Sequence, residues 1–204
     1  MSTIIFLNGA SSSGKTTITR ELQEHLERPF LRIGIDTLLG MMPKKYMETG
    51  PLAHEGFHFV AMPDAQGPLT HVRNGPLAVE LMRDLIAIAQ LLADRGRDLI
   101  IDEVVFGDEQ QGDRLFDYAH ALKQHTVYFV GVFCSEQELI AREKSRRNRM
   151  LGLARDQMKR VHLGTRPYDV TVDTSTTSVT GCTQEILTFM HNNPLPTGFK
   201  SLEK

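Results

Sequence analysis

The sequence predicts an α/β fold built on one parallel sheet with helices on both faces. Three observations carry the prediction. Short apolar runs alternate with helix-length amphipathic segments along most of the 204 residues, the pattern of right-handed strand–helix–strand crossovers. The first run, Ile4-Ile5-Phe6-Leu7, leads into Gly9-Ala10-Ser11-Ser12-Ser13-Gly14-Lys15-Thr16, which fits G-x-x-x-x-G-K-[ST]. Asp36 and Asp102 each stand just after a predicted strand, at the sheet edge where such folds bind ligands.

Strand one is expected near Thr3 to Asn8, and helix one near Gly14 to Glu27, closed by Pro29. Strand two, Leu31-Arg32-Ile33-Gly34-Ile35, ends at Asp36-Thr37-Leu38-Leu39, where Asp36 is placed to cap a short helix. From Pro43 to Gly75 the periodicity fails, broken by Pro43, Gly50, Pro51, Gly56, Pro63, Gly67 and Pro68. A loop this long inside a compact domain is usually functional. It is expected to cover substrate, with a hairpin around Phe57 to Ala61. Pro76 then opens a helix, with Ala78, Leu81, Met82, Leu85, Ala89 and Leu92 at helical spacing and Gly96 at its end.

Leu99-Ile100-Ile101 is the third strand and runs into Asp102-Glu103. A helix is expected from Gln111 to Lys123 and a fourth strand from Val127 to Phe133. Ser135 and Glu138 form a capping box for the next helix. An arginine-rich segment runs from Arg142 to Arg149, and Ala154 to His162 reads as helical. Val170-Thr171-Val172 is the fifth strand and Ser178 to His191 the last helix. The tail after Pro194 is expected to be loose. The reading is one domain over residues 1–192, an excursion at about 43–75, an Arg-rich lid at about 142–152, and a tail at 193–204.

Composition narrows the function classes. Hydrophobic residues at 41% and charged residues at 24% are ordinary for a soluble globule. A net charge of −2 supplies no field that would gather nucleic acid or a membrane surface. No apolar stretch approaches a membrane span, and the N-terminus lacks the basic start and long apolar core of a signal peptide. Cys134 and Cys182 stand far apart in no metal-like spacing. Free thiols and a reducing cytoplasm are expected.

The glycine-rich loop is the expected ATP site. Gly9 and Gly14 let the backbone turn and approach phosphate closely. The N–H groups of the segment through Ala10, Ser11, Ser12 and Ser13 to Thr17 face anionic oxygens, and the helix N-terminus adds donors and its dipole. Lys15 supplies a mobile charge for the β- and γ-phosphates, and the Thr16 hydroxyl can ligate Mg²⁺. Asp102 has the position of the second metal-positioning carboxylate, acting through water because Mg²⁺ keeps much of its hydration. Glu103 beside it has a weaker claim.

Asp36 admits two readings. A helix cap explains it; so does a carboxylate that accepts the proton of an acceptor hydroxyl. Arg142, Arg146 and Arg149 share one helix face at i, i+4 and i+7, while Lys144 and Arg147 point elsewhere. Five cations face a single acid, Glu143, and like charges four apart repel. A triphosphate under a closing lid would offset that repulsion; a solvated face is the plainer reading. RNA binding lacks the usual interleaved aromatics. His54-Glu55-Gly56-Phe57-His58 matches H-E-x-x-H, but Gly56 and the preceding Pro51 deny it the helix that zinc ligation needs.

The chain resembles the chloramphenicol phosphotransferases, small P-loop kinases, from Ile4 to about Met190. The resemblance rests on Leu7-Asn8-Gly9 through Lys15, Gly34-Ile35-Asp36-Thr37-Leu38 with Met42-Pro43, and Ile100-Ile101-Asp102-Glu103-Val104. Gly131-Val132 with Cys134, Arg142-Glu143 with Arg146 and Arg149, and Tyr168-Asp169-Val170 with Val172-Asp173-Thr174 continue it. It implies a five-stranded parallel sheet in order 2-3-1-4-5 flanked by helices, a three-layer P-loop kinase sandwich. It implies ATP-dependent phosphorylation of a primary hydroxyl of chloramphenicol, with Asp36 as the base and Arg146 near the ATP phosphates. Cap and base can coexist at Asp36. Between Lys44 and Gly75 the chain departs from the family pattern, so the acceptor stays open among chloramphenicol, a sugar, a nucleoside and another metabolite. A nucleotide-sensing or RNA-associated ATPase is the rival class, and a homo-oligomer is an open alternative.

Overall fold

The computed structural model describes residues 1–107, 114–145, 150–164 and 166–202. Strands β1 (Thr3–Asn8), β2 (Phe30–Gly34), β6 (Asp98–Glu103), β7 (Thr126–Phe133) and β8 (Val170–Asp173) form one parallel sheet in order β2-β6-β1-β7-β8. Counted among themselves these five strands run 2-3-1-4-5, as the resemblance implied. Helices α1 (Lys15–His25), α2 (Ile35–Met41), α3 (Pro76–Asp94), α4 (Arg114–Leu122), α5 (Glu136–Ser145), α6 (Leu153–Val161) and α7 (Val179–Asn192) connect them. The expected start of α4 at Gln111 lies outside the described residues. No helix among those described is long and apolar enough to cross a membrane.

The two-residue period of each strand sorts its side chains into two cores. Ile4, Phe6, Leu99, Ile101 and Phe129 face α3 and α4 through Met82, Leu85, Leu115 and Tyr118. Ile5, Leu7, Ile100, Val130 and Val132 face α1 and α7 through Ile18, Leu22, Cys182 and Ile186. The central strands β1, β6 and β7 are apolar on both faces through their interiors, as buried parallel strands require.

The excursion carries a second sheet. β3 (Met47–Glu48), β4 (Phe57–Met62) and β5 (Leu69–Asn74) pair in that order, with β4 and β5 antiparallel from Phe57–Asn74 to Met62–Leu69. The expected hairpin is therefore present and longer than read. Its outer strand docks on the start of α6: Thr70 N–H donates to Gly152 O at 3.1 Å, and the Thr70 hydroxyl to Leu151 O at 2.8 Å. Arg155 on α6 reaches back to the Pro68 carbonyl at 3.2 Å and to the Asp64 carboxylate.

Three expectations are corrected. The tail after Pro194 is not loose. Phe199 and Leu202 sit on a single 3-10 turn and are buried in the first core. The Phe199 ring lies 5.0 Å from Phe6 and 5.1 Å from Phe129, and the Asp169 carboxylate accepts the Thr197 and Gly198 N–H groups. Second, Asp36 caps nothing. Gly34 is the N-cap of α2 and no side chain caps it. A Cβ on Gly34 would stand 2.0 Å from the Asp102 carbonyl, so β2 crowds β6, and the helix begins at Ile35 with Asp36 inside its first turn. Third, only half of the capping box forms. The Ser135 hydroxyl accepts Glu138 N–H at 3.3 Å, but Ser135 N–H goes to Ser175 Oγ at 2.6 Å; Glu138 faces Arg142 at 3.6 Å instead.

Candidate active site

The turn after β1 is shaped by its φ angles. Ser12 at φ 63° and Gly14 at φ 95° are both left-handed, which turns successive N–H groups toward one point, an anion nest. Gly9 is required for packing, since a Cβ there would stand 2.5 Å from the Val132 carbonyl. Lys15 is buried and donates to the Gly9 and Ala10 carbonyls at 2.8 and 2.9 Å, 3.9 Å from Asp102 Oδ1. The Thr16 hydroxyl donates to Asp102 Oδ2 at 3.0 Å. The buried Ser12 and Ser13 hydroxyls have no hydrogen-bond partner among the described residues. A nest with two orphan hydroxyls and a buried lysine fits a polyphosphate. One hydroxyl and one carboxylate at contact, both hard oxygen donors, fit Mg²⁺.

Ser11 through Thr16, Asp36 and Asp102 line a single cavity of about 240 Å³. The sequence-predicted nucleotide loop, metal pair and acceptor carboxylate are thus brought together. Gly9 and Ala10 contribute carbonyls beneath the loop, and Thr17 N–H donates to Gly14 O at 3.0 Å inside the first turn of α1. Asp36 is about half exposed, with its side chain at 47%. The rest of the lining is largely apolar. Ile35 and Leu39 come from α2, Met47, Phe57, Phe59 and Val72 from the second sheet, and Met82 from α3. Val104, Phe106, Met150 and Leu153 complete it, with Glu48, Asn74 and Arg114 as polar points.

The arginines are arranged differently from the reading. Arg142 does not line the cavity. Its guanidinium donates to Thr174 Oγ1 at 2.9 Å and Thr174 O at 2.7 Å, and Thr174 Oγ1 donates to Ser13 O at 2.8 Å. Arg142 therefore braces the loop from behind through the end of β8. Arg146 and Arg149 lie outside the described residues. Glu143 is not on a solvated face. It is buried and accepts the Gly152 and Ala154 N–H groups, capping α6 where Gly152 at φ 89° offers no side chain.

Glu103 is structural. It is fully buried on the face of β6 opposite Asp102, holding the Tyr118 hydroxyl at 3.1 Å and Arg114 at 3.5 Å. Burial pushes its carboxyl up, against the pull of Arg114 and Tyr118. His54 stands in a turn and His58 on β4, so the two share no helix face.

Sequence reasoning missed two residues. Gln157, on α6, presents Oε1 to the Ser11 N–H at 2.7 Å, so a neutral acceptor sits against the nest. Asn8 ends β1 and joins the segments around it: Nδ2 donates to Val161 O and Tyr168 Oη at 3.1 Å, and Oδ1 accepts Val105 N–H at 2.8 Å. The only signal for Asn8 is a polar residue closing an apolar strand; Gln157 carries none. His162 stacks on Phe133 with centroids 3.9 Å apart and bonds Tyr168 Oη at 2.8 Å. Burial draws its imidazole down to about 4, outweighing an upward pull from the Val132 backbone, with Lys15 and Arg166 adding to the fall.

Known proteins share the fold of this chain. Two Mycobacterium tuberculosis proteins, from strains H37Rv and CDC 1551, each named putative O-phosphotransferase, are 27% identical over 202 residues, covering 98% of this chain and 88% of theirs. An unliganded sugar kinase structure from Janibacter sp. HTCC2649 superposes with TM-score 0.61 at 13% identity, over 95% of this chain and 97% of that one. The M. tuberculosis APS kinase in complex with AMPPNP and APS gives 0.58 at 16% identity, over 93% and 98%. At such identities these structures establish a shared fold. The model of the chloramphenicol phosphotransferase-like protein family matches residues 2–191, and the chain belongs to that family.

Proposed function

We propose that the protein is a cytoplasmic, Mg²⁺- and ATP-dependent kinase that phosphorylates a hydroxyl of an apolar small molecule, with chloramphenicol the first candidate and inactivation of such an antibiotic the consequence. One observation carries the reading: Asp36 and the phosphate-binding loop line the same cavity, whose remaining lining includes Phe57, Phe59, Val72, Met82 and Phe106. Away from the loop and Asp36, a sugar or nucleoside would have Glu48, Asn74, Arg114 and Gln157 to pair its hydroxyls, and each buried hydroxyl left over would cost about 1–3 kcal/mol. An acceptorless ATPase would need no such lining.

Lys15 and the amides of Ser11 to Gly14 would bind the phosphates. Thr16 and Asp102 would hold Mg²⁺, which when bound supplies charge neutralisation along the polyphosphate. Asp36 would accept the proton of the acceptor hydroxyl as its oxygen bonds to the γ-phosphorus and ADP departs. Arg146 would neutralise the transferring group, and Arg142 would hold the loop in shape. The experiment is an ADP-release assay over a panel of alcohols, with mass analysis of products. Chloramphenicol and other aromatic alcohols should gain one phosphoryl group and sugars should not. ATP hydrolysis that no alcohol stimulates would refute the assignment.

A further inference from the structure

Arg32 lies on β2, opposite Ile100 of β6 and two residues before the strand ends. Its Nη2 donates to Asp102 Oδ2 at 3.1 Å and to Thr16 Oγ1 at 3.3 Å, and stands 3.6 Å from Asp36 Oδ2. One guanidinium nitrogen therefore touches both donors of the candidate metal pair and faces the candidate base. Its side chain remains 29% exposed on an edge strand, so it has a path into solvent that leaves the sheet ladder intact.

A guanidinium at Asp102 Oδ2 opposes a dication held at the same carboxylate, directly or through water, because like charges this close repel when partly desolvated. Yet Asp102, 6% exposed at the end of β6, would be poorly compensated by the 3.9 Å approach of Lys15 alone. We propose that Arg32 is a positioning residue that serves as an internal counter-cation. It holds Thr16 and Asp102 while no metal is bound, then yields them to Mg²⁺ with the nucleotide and keeps Asp36 as its partner. The inference rests on the nucleotide-site reading above. It adds that metal binding competes with a side chain of the protein itself, so Mg²⁺ must displace Arg32 before the site is complete. By linkage, the apparent metal affinity is lowered by the fraction of molecules in which Arg32 occupies the pair.

The test is a Mg²⁺ titration of AMPPNP binding by calorimetry on the full chain, beside thermal unfolding with and without Mg²⁺ and AMPPNP. Arg32→Ala should lower the melting temperature of the ligand-free protein. It should also lower the Mg²⁺ concentration for half-maximal AMPPNP binding by about 1.5-fold to fivefold, the range for removing a partly exposed ion pair. Arg32→Gln, which keeps an unbranched polar side chain without the charge, should do the same, and guards against a folding defect in the alanine variant. A half-saturating Mg²⁺ concentration that is unchanged or raised in both variants overturns the role of Arg32, and a rise would mean that it clamps phosphate instead. Absence of AMPPNP binding in the wild type overturns the nucleotide site itself, and this inference with it.

Discussion

Replacing Asp36 by Asn tests the chemistry most directly. Asparagine keeps the shape of the side chain and a hydrogen-bonding oxygen toward Arg32, which stands 3.6 Å away, but it cannot take a proton from an alcohol. Asp36 caps no helix and its side chain is 47% exposed, so stability should change by no more than about 0.5 kcal/mol. Nucleotide affinity should persist as well, because the phosphate contacts are assigned to Ser11 to Thr16 and not to Asp36. A general base contributes about 10²–10⁴ in rate, or about 3–5 kcal/mol of barrier at 1.36 kcal/mol per decade. We therefore expect kcat to fall by about that factor with AMPPNP affinity within about twofold of wild type. Steady-state kinetics on the phosphorylated acceptor and calorimetry read the two quantities separately. A kcat within threefold of wild type would remove Asp36 from the proton transfer, whatever its place in the cavity.

Three further outcomes follow from the geometry. Phe199→Ala should cost about 3–5 kcal/mol in urea unfolding, because the ring is buried in an aromatic cluster; a loss under about 0.5 kcal/mol would mean that the tail is not part of the core. Gln157→Glu should weaken AMPPNP binding by at least about tenfold, since a carboxylate at the Ser11 N–H repels phosphate, whereas unchanged affinity would place Gln157 off the phosphate path. His162 titrates near 6.5 when unfolded but near about 4 in the fold, so the stability it confers is full above about pH 6.5 and is lost as pH falls toward 4. The ceiling is about 3 kcal/mol, reduced to about 1–2 kcal/mol by solvent around the part-exposed ring. His162→Phe should flatten the difference in unfolding free energy between pH 7 and pH 4.5 by that amount, and a parallel profile would sink the assignment.

How much of this was legible in the sequence depends on the range of the forces involved. The five strands and their helices are written in local periodicity, and the phosphate loop in two glycines, one needed for its φ and one for close packing, and the charge of one lysine. What failed was set across the fold. The start of α2 is fixed by how closely Gly34 passes the Asp102 carbonyl, which no pattern near Asp36 reports. Glu143 looked like the lone acid on a basic face, but it is the residue that turns inward to the α6 N-terminus. The tail holds only two buried anchors, Phe199 and Leu202, too few to show a period. β3 is two residues long and exists only because β4 is beside it.

Several non-local contacts converge on α6, and that has a consequence for how the two halves of the site work. Its N-terminus is capped by Glu143 from α5. One face holds the hairpin through Arg155 to Pro68 O, Thr70 to Gly152 O, and His71 to Asp156 at 3.2 Å. Gln157, one turn from Leu153 in the cavity wall, touches the phosphate loop at Ser11. The hairpin supplies Phe57, Phe59 and Val72 to the acceptor side. Any shift of α6 that frees the Ser11 N–H for phosphate must therefore carry the hairpin with it or break a buried arginine's contacts, at several kcal/mol for a group so desolvated. Rigid coupling is the less costly course. Nucleotide binding should then narrow the acceptor pocket, and in the wild-type protein acceptor affinity should rise when AMPPNP is present, by the same factor that the acceptor raises AMPPNP affinity.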